Sequence, residues 1–257
     1  MLQQVRSSLV AVDDLSKPPW NSILAYPNGS AQICKARIIE LRSLGIKKIE
    51  FSGSVQIGDV RILGKGCTSM VVKVWLDGKL VALKIRRVDS NRPSVARETR
   101  LQKLANKVGV GPQVFAHTKN FLAMELIGGT DIPTWVKNLK GKGSTQVLRN
   151  RIKDLLKQCF ALDSIGLDHG EISNLRKHVL VNEKVTMLDF ETASQKRRVS
   201  NVTSAAQYLF IGGPVANTVR KRLSLKDVGA IIQPLREYKK EPSEQTFQNL
   251  LAKLKLV

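Results

Sequence analysis

The feature that most constrains the fold is a pair of β-type apolar runs, Val71-Val72-Lys73-Val74-Trp75-Leu76 and Leu80-Val81-Ala82-Leu83-Lys84-Ile85, joined through Asp77-Gly78. Both turn residues tolerate positive φ, which a tight hairpin demands, so the pattern predicts two adjacent antiparallel strands. Lys84 is the anomaly in this hairpin. Its neighbours Val81, Ala82, Leu83 and Ile85 call for burial, and a buried ammonium needs an acidic partner. The next helical segment offers one: Pro93 suits a first turn, Glu98, Leu101 and Ala105 share a face, and Gly109 suits the end. Glu98 is therefore expected to pair with Lys84.

Immediately upstream, Leu63-Gly64-Lys65-Gly66-Cys67-Thr68-Ser69-Met70-Val71 turns back between strands instead of opening a helix, so Walker and dinucleotide-loop readings fit poorly. Gly64 and Gly66 let backbone amides approach phosphate oxygens, although an ordinary glycine-rich hairpin has the same pattern. Strands near 113–116 and 121–126 would complete an antiparallel sheet, and Met124-Glu125-Leu126-Ile127-Gly128-Gly129 closes this half of the chain. Beyond it the period becomes helical. Leu148, Ile152, Leu155, Cys159 and Leu162 mark an amphipathic helix with a basic outer side. A short β pair, 179–181 and 185–188, interrupts a helical remainder in which Ser200 is expected to cap a helix. Before residue 55 the one clear element is a helix opened by Ser30, with Cys34, Ile38 and Leu41 on one face and Gly45 at its end.

With 257 residues the chain can hold one two-lobed domain or two small ones. No apolar run reaches 18 residues, which excludes a helical membrane span. Met1-Leu2-Gln3-Gln4 shows no secretory pattern, so a cytoplasmic home is the default expectation. Cys34, Cys67 and Cys159 form no CxxC pair, and neither a disulfide framework nor a zinc site is indicated. Lys and Arg number 42 against 21 acids, a charge of +21 that attracts polyanions, so RNA or a ribonucleoprotein is a plausible partner. The basic runs Lys196-Arg197-Arg198 and Arg220-Lys221-Arg222 would either contact nucleic-acid phosphates or form a solvated face.

A second cluster follows: Leu167-Asp168-His169-Gly170-Glu171, then His178-Val179-Leu180-Val181, then Met187-Leu188-Asp189-Phe190-Glu191. With the loop, Lys84 and Glu98 before it, this order resembles the eukaryotic-like protein kinase superfamily, with its glycine loop, strand lysine, helix glutamate, HRD loop and DFG. Its style is nearest the RIO-type kinases, the kinase subunit of the KEOPS complex and related archaeal-type serine/threonine kinases. The likeness covers roughly residues 56–210. It implies an α+β, bilobal kinase-like fold: a helical extension over 1–55, an antiparallel N-lobe over 56–126 and a helical C-lobe over 127–257. It implies ATP-dependent transfer to Ser or Thr hydroxyls of a protein acceptor with Mg2+, Mn2+ being possible. The loop from Leu63 to Cys67, Val71, Ala82, Lys84 and Glu98 would surround the phosphates and adenine. Met124 would line the adenine pocket, with backbone groups of Glu125 and Ile127 bonding the base. Asp189 would hold the metal.

Three departures stand out. Glu171 occupies the catalytic aspartate's slot, with one more methylene; it would act as base, as orienter of the hydroxyl, or only as a brace. The asparagine slot for the second metal falls on Arg176 when counted forward from Glu171, and on His178 when counted back from the strand; Asn174 also comes into range, and Arg176 or Lys177 would be the alternative source of positive charge. Glu191 replaces the last glycine of DFG, which favours a segment that does not flip, and no Ala-Pro-Glu docking segment follows. The rival reading is a pseudokinase or ATPase switch on a nucleic-acid or ribonucleoprotein partner; a small-molecule kinase is a third.

Overall fold

The computed structural model describes residues 8–257; the reading of Met1-Leu2-Gln3-Gln4 lies outside them. The chain is a mixed α+β protein with antiparallel sheets. It divides into two compact units, the first running to Arg100 and taking in Gln113–Leu126, the second formed by Leu101–Pro112 and Ile127–Val257.

In the first unit the chain runs β1 (Ser8–Ala11), α1 (Trp20–Leu24), α2 (Ala31–Ser43), β2 (Lys48–Phe51), β3 (Val55–Ile57), β4 (Val60–Ile62), β5 (Gly64–Lys65), β6 (Ser69–Leu76) and β7 (Lys79–Arg86). Helix α3 (Ala96–Lys107), β8 (Val114–His117) and β9 (Phe121–Met124) follow. The main sheet has the order β1-β2-β6-β7-β9-β8, with β5 added on β6. Asp77 (φ 47°) and Gly78 (φ 75°) make the hairpin turn with both residues left-handed, as the Asp-Gly pair predicts. α2 begins at the Ser30 cap, whose Oγ accepts from Ile33 N–H at 3.3 Å, and Gly45 (φ 74°) ends it. α3 starts three residues after Pro93, with Ser94 Oγ bonded to Ala96 N–H.

Alternation divides the two faces of the sheet. Met70, Val72 and Val74 of β6 and Val81, Leu83 and Ile85 of β7 are buried in one core with Leu15, Ile23, Leu24, Ile38 and Leu41. Burying those six strand side chains stabilises the unit by roughly 1.5–3 kcal/mol each. The stretch before residue 55 thus contains strands β1 and β2 and much of this core, not only a helix. Its polar–apolar alternation is too short to announce strands of four residues.

The second unit contains β10 (Thr130–Asp131), α4 (Ile132–Asn138), α5 (Ser144–Ser164), α6 (Leu175–His178), β11 (Val179–Val181), β12 (Val185–Met187), α7 (Asn201–Phe210), α8 (Ala216–Arg222), α9 (Gly229–Lys240) and α10 (Glu244–Lys253). β10, β11 and β12 form a small antiparallel sheet. The core is built on α5, whose Leu148, Ile152, Leu155, Cys159 and Leu162 are all buried, as their spacing predicts. Among the described residues no helix is long and apolar enough to cross a membrane.

Candidate functional site

On the sheet face opposite the α1–α2 core, register places Val71 beside Lys84 and Ala82 beside Met124. Even on this face Lys84 is only 5% exposed. Its Nζ donates to Glu98 Oε1 at 2.6 Å, and Glu98 is itself buried. Two opposite charges withdrawn from water at this distance hold each other in one geometry; losing either partner of such a pair typically costs about 3–5 kcal/mol. The lysine that interrupts the apolar run 80–85 and the acid on the core face of the next helix are therefore partners, as their sequence contexts require.

The glycine loop crosses this unit as β5 and the turn into β6. Leu63 N–H donates to Val71 O at 2.9 Å and Gly66 N–H to Ser69 O at 2.7 Å. Lys65, Gly66 and Cys67 are exposed. Neither Gly64 nor Gly66 has a positive φ, a Cβ on Gly64 would meet nothing within 4 Å, and one on Gly66 would meet Ser69 O only at 3.5 Å. The protein's own packing thus gives no reason for glycine at either position. The turn is braced from behind. Arg87 donates its backbone N–H to Thr68 O and its Nη1 to Gly66 O, while Lys65 Nζ and the Arg87 guanidinium lie 4.8 and 5.1 Å from the Tyr26 ring centroid. At the end of β9, Glu125 gives its N–H to Gln113 O at 2.8 Å. Ile127 is half-buried and belongs to the second unit.

In the second unit Glu171, His178 and Asp189 each bring a ligand-type atom within 4.8 Å of the others. His178 Nε2 stands 4.0 Å from Glu171 Oε2, and its Nδ1 is buried without a hydrogen-bond partner. Asn174 is exposed at the start of α6, its N–H bonded to Glu171 O. Arg176 and Lys177 are exposed on α6. Of the sequence candidates for the second ligand, His178 has a ligand atom within 4.8 Å of one on Asp189. Two carboxylates and an imidazole nitrogen fit a divalent cation, and the nitrogen makes the set softer than an all-oxygen Mg2+ site. Asp189 has φ 68°, a left-handed conformation sparsely used by non-glycine residues and concentrated at functional positions.

The loop carrying Glu171 is fixed by a buried polar frame. His169 Nε2 lies 3.0 Å from Leu188 O and its ring packs 5.0 Å from that of Phe190. Burial pushes its pKa down to about 4, partly offset by that carbonyl, so the neutral ring donates from Nε2. Phe190 is fully buried, and a Cβ on Gly111 would lie 2.6 Å from its ring, so the residue after Asp189 is wedged in place. Asn201 Oδ1 accepts from His169 N–H at 2.9 Å, while Asn201 Nδ2 donates to Asp163 Oδ1 and Leu167 O. Ser200 does not cap α7; its Oγ turns to Asp168, and the capping carboxylate comes from Asp163 of α5, which accepts from Asn201 and Val202 N–H and from the Tyr238 hydroxyl. Burial raises the Asp163 carboxyl, and these donors oppose the rise; the Tyr238 hydroxyl is raised, first by its own burial.

Two further residues act on Glu171. Thr192 Oγ1 lies 3.1 Å from Glu171 Oε2 and 3.0 Å from His169 O. Arg197 bridges Asp168 Oδ2 through Nε (2.9 Å) and Thr192 O through Nη2 (2.7 Å), directly over Gly170. Sequence reading finds Arg197 only as one of a basic run and misses Thr192, Asn201 and Asp163. For Asp163 a signal exists, a carboxylate four residues after Cys159 on the apolar stripe of α5; for Thr192 and Asn201 there is none, because their partners are distant in sequence.

No protein-family model matches the chain. It is 31% identical over 119 residues to "Uncharacterized protein MJ1211" of Methanocaldococcus jannaschii, an alignment that covers 46% of this chain and 99% of that protein.

Proposed function

We propose that this chain, which belongs to the same family as the M. jannaschii protein MJ1211, is a bilobal kinase-like protein that transfers the γ-phosphoryl group of ATP to Ser or Thr hydroxyls. The observation that carries the reading is the buried Lys84–Glu98 pair at 2.6 Å on the strand that follows the glycine loop. In this reading the ammonium, held by Glu98, neutralises α- and β-phosphate oxygens, and amides of 64–67 contact the phosphates above a backbone that Arg87 and Tyr26 keep rigid. Ala82 and Met124 line the adenine, and backbone groups of Glu125 and Ile127 bond its edge.

Asp189, with His178 and Glu171 beside it, would hold Mg2+ or Mn2+, which supplies positive charge to the phosphate oxygens. Glu171, steadied by Thr192, orients the acceptor hydroxyl and takes its proton. The acceptor oxygen bonds to the γ-phosphorus, the bond from that phosphorus to the β–γ bridging oxygen breaks, and ADP leaves. Positioning and charge supply most of such catalysis, so a glutamate one methylene longer than aspartate is compatible with it.

The test is metal-dependent nucleotide binding. ATP should bind the wild type more tightly with Mn2+ or Mg2+ than with EDTA, and Asp189→Ala should abolish the metal's contribution. Equal affinity with and without metal in the wild type would sink the reading.

A further inference from the structure

A cavity of about 330 Å3 in the second unit borders the loop of Glu171 on the side of Gly170. Asp168, Ser173, Arg197, Arg198, Ser200 and Ser204 line it. From these residues we infer that the cavity takes a phosphorylated serine or threonine side chain of the protein acceptor, so that the substrate is one already phosphorylated close to its target hydroxyl. The inference rests on the transfer reading above and deepens it.

The chemistry of the lining points to a phosphate monoester. Two guanidinium groups face one carboxylate, and that carboxylate is occupied: Asp168 accepts from Arg197 Nε at 2.9 Å and from both the N–H and Oγ of Ser200 at 3.2 Å. The cavity keeps a net positive charge. Arg198 is exposed and uses one Nη on the Lys239 carbonyl, which leaves the rest of its planar fork for a bidentate partner. Ser173 adds a hydroxyl, while Ser204 Oγ donates to Ser200 Oγ at 3.4 Å and supports the serine that occupies Asp168. No aromatic side chain lines the cavity, so nothing there stacks a base, and its size suits one modified side chain better than a nucleic-acid strand.

The position also fits an acceptor subsite. Arg197 bonds Thr192 O while Thr192 Oγ1 reaches Glu171, so a group bound by the arginines is two residues from the carboxylate that would orient the hydroxyl. Docking through a phosphate supplies the anchoring that the missing Ala-Pro-Glu segment would otherwise provide.

The experiment compares binding of two Ala/Gly peptides that differ only in whether one serine is phosphorylated, by fluorescence polarisation on the full chain. A 5′-phosphorylated RNA oligonucleotide and inorganic phosphate serve as competitors, and ATP binding is measured in parallel. The phosphopeptide should bind at least tenfold more tightly than its unphosphorylated twin. Arg198→Ala should remove about tenfold of that preference with ATP affinity unchanged. Arg197→Ala should also weaken that preference, but it loosens the Glu171 loop, so Arg198→Ala is the deciding variant. Equal binding of the two peptides, an undiminished preference in Arg198→Ala, or displacement by the RNA at lower concentration than by a second phosphopeptide overturns the inference. Absence of the phosphopeptide preference in the wild type with ATP binding intact defeats this subsite alone, whereas phosphopeptide binding by the wild type without ATP binding defeats the transfer reading instead.

Discussion

Replacing Gly170 by alanine tests how the candidate catalytic loop is held. Gly170 has φ 89°, and a new Cβ would collide with Arg197 Nη2 and sit 3.0 Å from both Thr192 O and Thr192 Oγ1. The left-handed backbone alone costs an alanine about 1–2 kcal/mol. Arg197 is the flexible member, so the guanidinium moves and gives up its bonds to Asp168 and the Thr192 carbonyl. Its side chain is 47% exposed, and water replaces part of what is lost, so this adds about 1 kcal/mol. The sum is about 2–3 kcal/mol, read as a lowered urea midpoint followed by circular dichroism at unchanged slope. Arg197→Ala should cost only the second part, about 1 kcal/mol. In the double variant the two effects should fall short of additivity, since alanine at 170 has already displaced the arginine. A Gly170→Ala cost below about 0.5 kcal/mol, or strict additivity, would refute the proposed contact and with it the idea that this glycine is set by Arg197.

Other outcomes follow from the same structure. Asp163→Ala strips the first turn of α7 of its cap and leaves the Tyr238 hydroxyl and the Asn201 amide buried with fewer partners, so it should destabilise the second unit by about 3 kcal/mol, with Tyr238→Phe costing about 1 kcal/mol; a neutral Asp163→Ala in urea unfolding would contradict the network. Cys34 and Cys159 are buried with thiols raised by desolvation, while Cys67 is exposed on the glycine loop, so a thiol reagent at neutral pH should modify one cysteine quickly, and ATP with metal should slow that reaction. Fast labelling of two or three thiols, or indifference to ATP, would count against the burial pattern or the loop's role. The imidazole of His178 should make Mn2+ a better activator than Mg2+, and His178→Asp should reverse the order; the same preference in both proteins would remove His178 from the metal set.

Much of the first unit was legible in its sequence because local rules act alone there. Asp77-Gly78 fixes the hairpin turn, alternation decides which side of β6 and β7 is buried, and the misfit of Lys84 announces its partner. The strands before residue 55 were not legible, being four residues long and stabilised by pairing with a strand at distant positions. Ser200 illustrates the limit in the second unit. A serine before an apolar period predicts its own cap, but Asp163, 38 residues earlier than Asn201, reaches the same amide and wins because it is buried with four donors. The ambiguity over the second ligand was likewise one of loop length; the fold brings ligand atoms of His178, Glu171 and Asp189 within 4.8 Å of one another, a proximity that counting along the loop could not give.

The most direct measurement of the central claim is label transfer. The purified chain is incubated with γ-labelled ATP and Mn2+ or Mg2+, with no acceptor, with a generic basic protein, or with a cell extract, and label is followed in protein and in free phosphate. The account predicts label on protein serine or threonine, lost in Lys84→Ala and Asp189→Ala variants that keep the wild-type circular dichroism spectrum. Free phosphate without labelled protein, or no turnover at all, would contradict it and point to an ATPase switch or a nucleotide-binding module instead.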